Sequence, residues 1–157
     1  TDFIHDAARV AARDGISFYV LGADEAVNAK AYERLEREYP GLRIVGRHHG
    51  YLGPDDEARV VAEIAEKGPD VLWVGMGAPK QHFFMARHRD SLRGVAWIKG
   101  CGGCLEFLAG DRARAPQWMQ SFGLEWLYRL CQEPTRLWRR YTLDNARAAW
   151  FALTRSR

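Results

Sequence analysis

Four short stretches of the sequence hold side chains whose types and spacing could do chemistry. The first is GMGAPKQHFF (75–84), where Gly75 and Gly77 lead to Pro79, Lys80 and Gln81. An apolar run enters the glycines and a helical pattern leaves them. That predicts Pro79 in a first helical turn, where its missing N–H costs nothing. Lys80 and Gln81 then project near a helix N-terminus whose free N–H groups suit a phosphate. The stretch is neither a P-loop nor a dinucleotide fingerprint: G-x-x-x-x-G-K-[ST] is absent, and Lys80 or Gln81 stands where a third glycine belongs. The plainer reading of its glycines is a tight turn between strand and helix.

The second, KGCGGCLEF (99–107), sets Gly102 and Gly103 inside a C-x-x-C made by Cys101 and Cys104, with Glu106 two residues on. A C-x-x-C after a strand is the spacing of dithiol redox proteins. Against that, the order of elements is unlike a thioredoxin's and no cis-proline candidate stands out. A zinc site would need two more ligands from Cys131 and scattered histidines. Two small buried thiols beside a glycine turn is the simpler reading. The third stretch, HHGY (48–51), offers two imidazoles and Tyr51. The Tyr51 ring and hydroxyl suit stacking on a nucleobase or capping a sugar, or equally closing the edge of a core. No Ser-His-Asp order occurs, and with no D-x-D triplet no bound metal is expected.

The fourth stretch is basic and aromatic. RAPQW (114–118) contributes Arg114, and GLEWLYRLCQEPTRLWRRY (123–141) contributes Arg129, Arg136, Arg139 and Arg140. On a helix after Pro134 the last three fall at i, i+3 and i+4, hence on one face. Forked guanidinium donors in a row are shaped to grip phosphates. Trp126, Trp138 and Trp150 flank them, as amphipathic rings do at a bilayer interface. A solvated basic face over a small aromatic core is the competing reading. Nucleic acid is not expected, because the strip is short and carries no module signature.

These stretches must be positioned by a fold, and the hydropathy pattern supplies one. Residues 2–13 read as a helix with Phe3, Ile4, Ala7, Ala8 and Ala11 on one face, stopped by Gly15. Short apolar runs at 17–22, 42–46, 70–77 and 95–100 read as buried strands. Helical patterns separate them, from Asp24 to about Tyr39 and over 56–68. That alternation predicts an α/β fold, a Rossmann-like parallel sheet flanked by helices and built from right-handed crossovers. Ligands of such sheets bind at the carboxyl ends of the strands, and here three of the four stretches fall there. After Pro116 the strands cease and two helices follow, broken near Glu133-Pro134. The expected division is therefore a sheet domain over 1–115 and a basic, aromatic-rich helical appendage over 116–157.

The 157 residues suit one main core. Net charge is +3, yet residues 112–157 carry +6 and residues 1–111 carry −3. Such asymmetry points the C-terminal segment at something anionic. No apolar run approaches the ~20 residues of a bilayer span, and no secretory leader is visible. Three cysteines give no disulfide framework. The expected compartment is the cytoplasm, and the Thr at position 1 reads as part of a longer chain.

Taken together, FYVLG, YPGLRIVG, the HGY turn, G-x-G-x-P-K-Q, the G-G-x-x-[acid]-F-x-A-G turn, RAP-x-W and GLEWLYRL followed by EPTRLWRRY resemble the WecG/TagA/CpsF glycosyltransferases, in one register over essentially the whole chain. The resemblance implies an inverting transfer of a sugar, commonly N-acetylmannosamine or its uronic acid, from a UDP donor. The acceptor it implies is a polyprenyl-diphosphate-linked saccharide at the inner face of the cytoplasmic membrane, in teichoic acid, common-antigen or capsule assembly. It implies no cofactor beyond the UDP-sugar itself, contact with an anionic membrane surface, and leaves a homo-oligomer open. By the same resemblance Tyr51 and Glu106 contact the nucleotide and Gln81 lies near the donor diphosphate or sugar. The glycines of those turns, with Pro79 and Lys80, would complete that site. Arg129, Arg136 and Arg139 belong to an appendage over the acceptor diphosphate, with Arg114, Arg140 and Trp138 beside them. Where Glu106 stands the family usually has Asp. The family's upstream portion, with its proposed catalytic Asp and neighbouring contacts, is expected to precede this chain, which alone would bind but not catalyse.

Overall fold

The computed structural model describes residues 2–111 together with Pro116, Met119, Phe122, residues 124–132, Pro134 and Thr154. The chain divides into two compact units, residues 1–113 and 114–157. In the first unit the elements run α1 (Asp2–Asp14), β1 (Ser17–Gly22), α2 (Glu25–Glu38), β2 (Arg43–His48), α3 (Pro54–Lys67), β3 (Val71–Gly75), α4 (Lys80–Arg87), β4 (Trp97–Gly100) and α5 (Cys104–Leu108). The four strands pair in parallel, in the order β2-β1-β3-β4. This is an α/β fold.

Strand composition explains strand position. SFYVLG and VLWVG are buried at every residue, as central strands covered on both faces must be. Along β1, Phe18 and Val20 face one core while Tyr19 and Leu21 face the other; Val71 and Trp73 alternate with Leu72 and Val74 in the same way along β3. The first core is closed by Ile4, Ala8 and Ala11 of α1, Val27, Ala31 and Leu35 of α2, and Leu105 and Leu108 of α5. The second is closed by Val60, Val61 and Ile64 of α3 and Phe84 of α4. Each fully buried Val, Leu, Ile or Phe among them contributes about 1.5–3 kcal/mol. The strands' starting edge is fastened separately: Asp70 Oδ2 accepts from the Ser17 N–H at 2.7 Å and from its hydroxyl at 2.6 Å.

Several boundaries differ from the pattern-based expectation, each for a local reason. The apolar run predicts β2 over 42–46, but the strand runs on to His48 because β1 continues beside it, with Leu21 opposite His48. The helix expected from 56 begins at Pro54, which fills the first turn without needing a donor. β4 begins at Trp97 rather than 95, and the short helix α5 follows it where only a turn was expected. Phe3 is not inside: it is 50% exposed and packs its ring edge-on to Trp97 at 5.6 Å. Pro79 caps α4 one residue ahead of the first helical position, and the Ala78–Pro79 peptide is cis, the cis-proline that no pattern signalled.

In the second unit a helix spans Glu125–Gln132. The basic helix expected after Pro134, with Arg136, Trp138, Arg139 and Arg140, lies outside the described residues, as does Arg114. Arg129 falls within the Glu125–Gln132 helix, and its side chain also lies outside what is described.

Candidate functional site

After β1 the chain moves through α2 to β2 on one side; α3 then carries it back across β1 to β3 on the other. The connections therefore diverge between β1 and β3, and a crevice opens at the carboxyl ends of those strands, the position where open α/β sheets take ligands. Its floor is bare main chain. Gly22 adopts φ +146°, and a Cβ there would collide with the Gly75 carbonyl group. The Ala23 N–H donates to Gly75 O at 3.0 Å, and the Gly50 N–H donates to Ala23 O at 2.7 Å, so the exits of β1, β2 and β3 are laced together.

A fully buried asparagine strengthens that lacing. Asn28 Nδ2 donates to Gly22 O at 2.9 Å and to His48 O at 3.0 Å, and Asn28 Oδ1 accepts from Arg47 Nη1 at 3.3 Å. Sequence reasoning passed over Asn28. The signal was available: with Val27, Ala31 and Leu35 it lies on the buried stripe of α2, where a polar side chain must find partners.

The first turn of α4 braces both flanks of the crevice with adjacent residues. Lys80 Nζ donates to Gly50 O at 2.7 Å, in the loop after β2, and lies 5.6 Å from the centre of the Tyr51 ring. Gln81 turns the other way. It is 6% exposed, and its Oε1 accepts the Gly102 N–H at 3.0 Å in the loop after β4. A Cβ on Gly100 would stand 2.7 Å from Gln81 Nε2, so a glycine is needed there for the carboxamide to pass. Gln81, Phe84 and His88 share one face of α4, and a polar residue on an apolar stripe was again the clue.

The structure brings together most of the residues singled out from sequence. Gly75 packs against α5, where an added Cβ would lie 2.8 Å from Leu105 Cδ1. Gly77 takes φ +75°, and its carbonyl accepts the Gln81 N–H at 2.9 Å. Gly102 takes φ +55°, and Gly103 caps α5. Tyr51, 72% exposed, stands at the mouth beside Lys80. Glu106 lies in the first turn of α5, half-buried, beyond the opposite flank. Tyr51 and Glu106 thus follow the two outermost strands, on opposite flanks of the sheet edge. The His48 and His49 rings meet at a tilt of 51°, 4.4 Å between centres, with His48 Nδ1 3.0 Å from the His49 carbonyl oxygen.

The surroundings of Cys101 disfavour a thiolate. Burial, with smaller contributions from Cys104 and Glu106, pushes the Cys101 thiol well above its usual value. A reactive dithiol needs a lowered one. Among the described residues no three His, Cys, Asp or Glu side chains gather as a metal site requires, and no described helix is long and apolar enough to cross a membrane.

Comparison with known proteins adds the following. The family model described as the glycosyl transferase WecG/TagA/CpsF family matches residues 1–157. A Bacillus spizizenii protein named N-acetylglucosaminyldiphosphoundecaprenol N-acetyl-beta-D-mannosaminyltransferase is 39% identical over 122 residues, covering 78% of this chain and 46% of that protein. The chain thus spans about half the length of that curated relative.

Proposed function

Because this chain belongs to the WecG/TagA/CpsF family of glycosyl transferases, we propose that it forms the donor-binding part of an inverting transferase. The donor is a UDP-linked sugar of the N-acetylmannosamine type. The acceptor is a polyprenyl-diphosphate-linked saccharide, and the product feeds cell-surface polysaccharide assembly. The observation that carries this reading is the glycine-floored crevice between β1 and β3, with Lys80 at its rim. Bare main chain at a switch point lets a diphosphate approach closely, and a lysine ammonium keeps two further donors after meeting Gly50 O.

Within this reading Tyr51 covers the base or ribose, and Lys80 meets the diphosphate. Gln81 acts by holding the Gly102 turn in place, since its oxygen is already committed there. Glu106 reaches the donor only if the nucleotide-sugar lies across the sheet, a span that an extended nucleotide diphosphate sugar can cover. Donor binding needs no divalent cation, because no D-x-D triplet exists to hold one. Arg114, Arg129, Arg136, Arg139, Arg140 and Trp138 serve the acceptor diphosphate and an anionic surface at the inner face of the cytoplasmic membrane. The catalytic base comes from the rest of the family domain.

Titration calorimetry with UDP, in EDTA, tests the donor half. Binding by the full chain that weakens about tenfold in Tyr51→Ala supports it; no binding, or binding restored only by Mg²⁺, refutes it. Transfer from UDP-N-acetylmannosamine to a lipid-linked acceptor by the longer protein tests the rest.

A further inference from the structure

Beside the crevice, between the loop after β2 and α4, lies a half-open cavity of about 300 Å³. Leu52, Met76, Phe83 and Phe84 supply its apolar lining, and Glu57, Lys80 and Arg87 its polar part. At the ~30 Å³ that a water claims in the liquid, this is room for roughly ten heavy atoms.

The polar groups are already engaged in a way that selects the occupant. Glu57 Oε1 accepts from Arg87 Nη1 at 2.7 Å and meets His88 Nε2 at 2.6 Å. Lys80 Nζ is fixed on Gly50 O. The Glu57 charge is offset there by Arg87, and the apolar lining suits a hydrocarbon chain. The cations nevertheless keep spare donors: Lys80 has two N–H bonds left and Arg87, 63% exposed, has most of its fork. Apolar depth with two cations at the polar side is complementary to an amphiphile whose anionic head joins its chain directly. Phe83, 64% exposed, has no packing reason to stand in water at that mouth.

We propose that this cavity seats the diphosphate-proximal isoprene carbons of a polyprenyl diphosphate, with Arg87 meeting its diphosphate and Lys80 standing between that group and the donor diphosphate. About two five-carbon units fill the space. The proposal deepens the transferase reading and rests on it, by assigning the lipid half of the acceptor to the face opposite α5. It also places the lipid next to the proposed donor diphosphate, which brings the two substrates to the same sheet edge.

Calorimetry on the full chain with farnesyl diphosphate below its micellar concentration, inorganic diphosphate and UDP separates the cases. Phe83→Ala is the variant of choice, because an exposed ring can be removed without emptying the core, and circular dichroism checks its fold. The expected result is that farnesyl diphosphate binds at least about tenfold tighter than inorganic diphosphate, that Phe83→Ala removes most of that margin, and that UDP affinity is unchanged. Equal binding of farnesyl and inorganic diphosphate overturns the proposal, as does a Phe83→Ala variant that loses UDP and farnesyl diphosphate together. If UDP fails to bind while the farnesyl margin and its Phe83 dependence persist, the donor reading falls and the isoprenoid seat stands.

Discussion

The loop after β2 and the loop after β4 flank one crevice and are held by consecutive residues of one helical turn, but by opposite means. Lys80 reaches the carbonyl of buried Gly50 from an exposed position, a charged donor still largely in water. Gln81 reaches the Gly102 N–H from inside, a neutral acceptor whose own side chain is 6% exposed. The first flank ends in an exposed Tyr51, the second in part-buried cysteines and the α5 turn. The contrast teaches that burial, not charge, decides which tie is structural: the Gln81 side is built to stay fixed, and the Lys80 side is free to trade its partner for a ligand.

Breaking the frame that both flanks share should have the largest effect. In Gly22→Ala the new methyl meets the Gly75 carbonyl at a backbone φ that side chains rarely adopt. A loss of about 4 kcal/mol or more is expected in urea unfolding. Next comes the comparison itself. Gln81→Ala leaves the Gly102 N–H without its acceptor and should cost about 1–3 kcal/mol, with faster hydrogen exchange at Gly102. Lys80→Met should cost under about 1 kcal/mol, because an exposed ammonium trades bonds to water for its bond to the carbonyl. If the two variants lose equal stability, the contrast fails.

The Lys80 flank also carries a titrating tie. The His88 hydrogen bond, helped by Arg87 and opposed by burial, holds the Glu57 carboxyl below its usual 4.5. A carboxyl lowered in the folded state stabilises fully above its unfolded value and loses that contribution as pH falls through the folded one. Stability should therefore decline more steeply below about pH 4.5 in the wild type than in Glu57→Gln. Smallest of all, Tyr51→Ala should change stability by under about 0.5 kcal/mol, its effect appearing only in ligand binding.

What the sequence disclosed follows the same division. β1 and β3 were legible because central strands are apolar throughout. The last two residues of β2 were not, because Arg47 and His48 are strand by virtue of their neighbour, not their own hydropathy. The sequence groups Gly75, Gly77, Lys80 and Gln81 after a strand, and they form the turn from β3 into α4. The division of labour between Lys80 and Gln81 was not, since adjacent polar residues look alike until one is known to face Phe84 and the core. Asn28 was hidden for the same reason: its partners are main-chain carbonyls of β1 and β2, which no pattern of side chains announces. The cysteine spacing left a dithiol beside the simpler reading of two small buried thiols, and the burial that raises the Cys101 thiol favours the second.

The central claim is that the crevice between β1 and β3 receives a nucleotide diphosphate. Amide-resolved NMR of the full chain titrated with UDP tests it most directly. The account predicts shifts concentrated at Gly22, Ala23, Gly50, Tyr51 and Gly75 to Lys80, with smaller ones at Gly102. Saturable shifts confined to other surfaces, or no shifts at millimolar UDP, would contradict it.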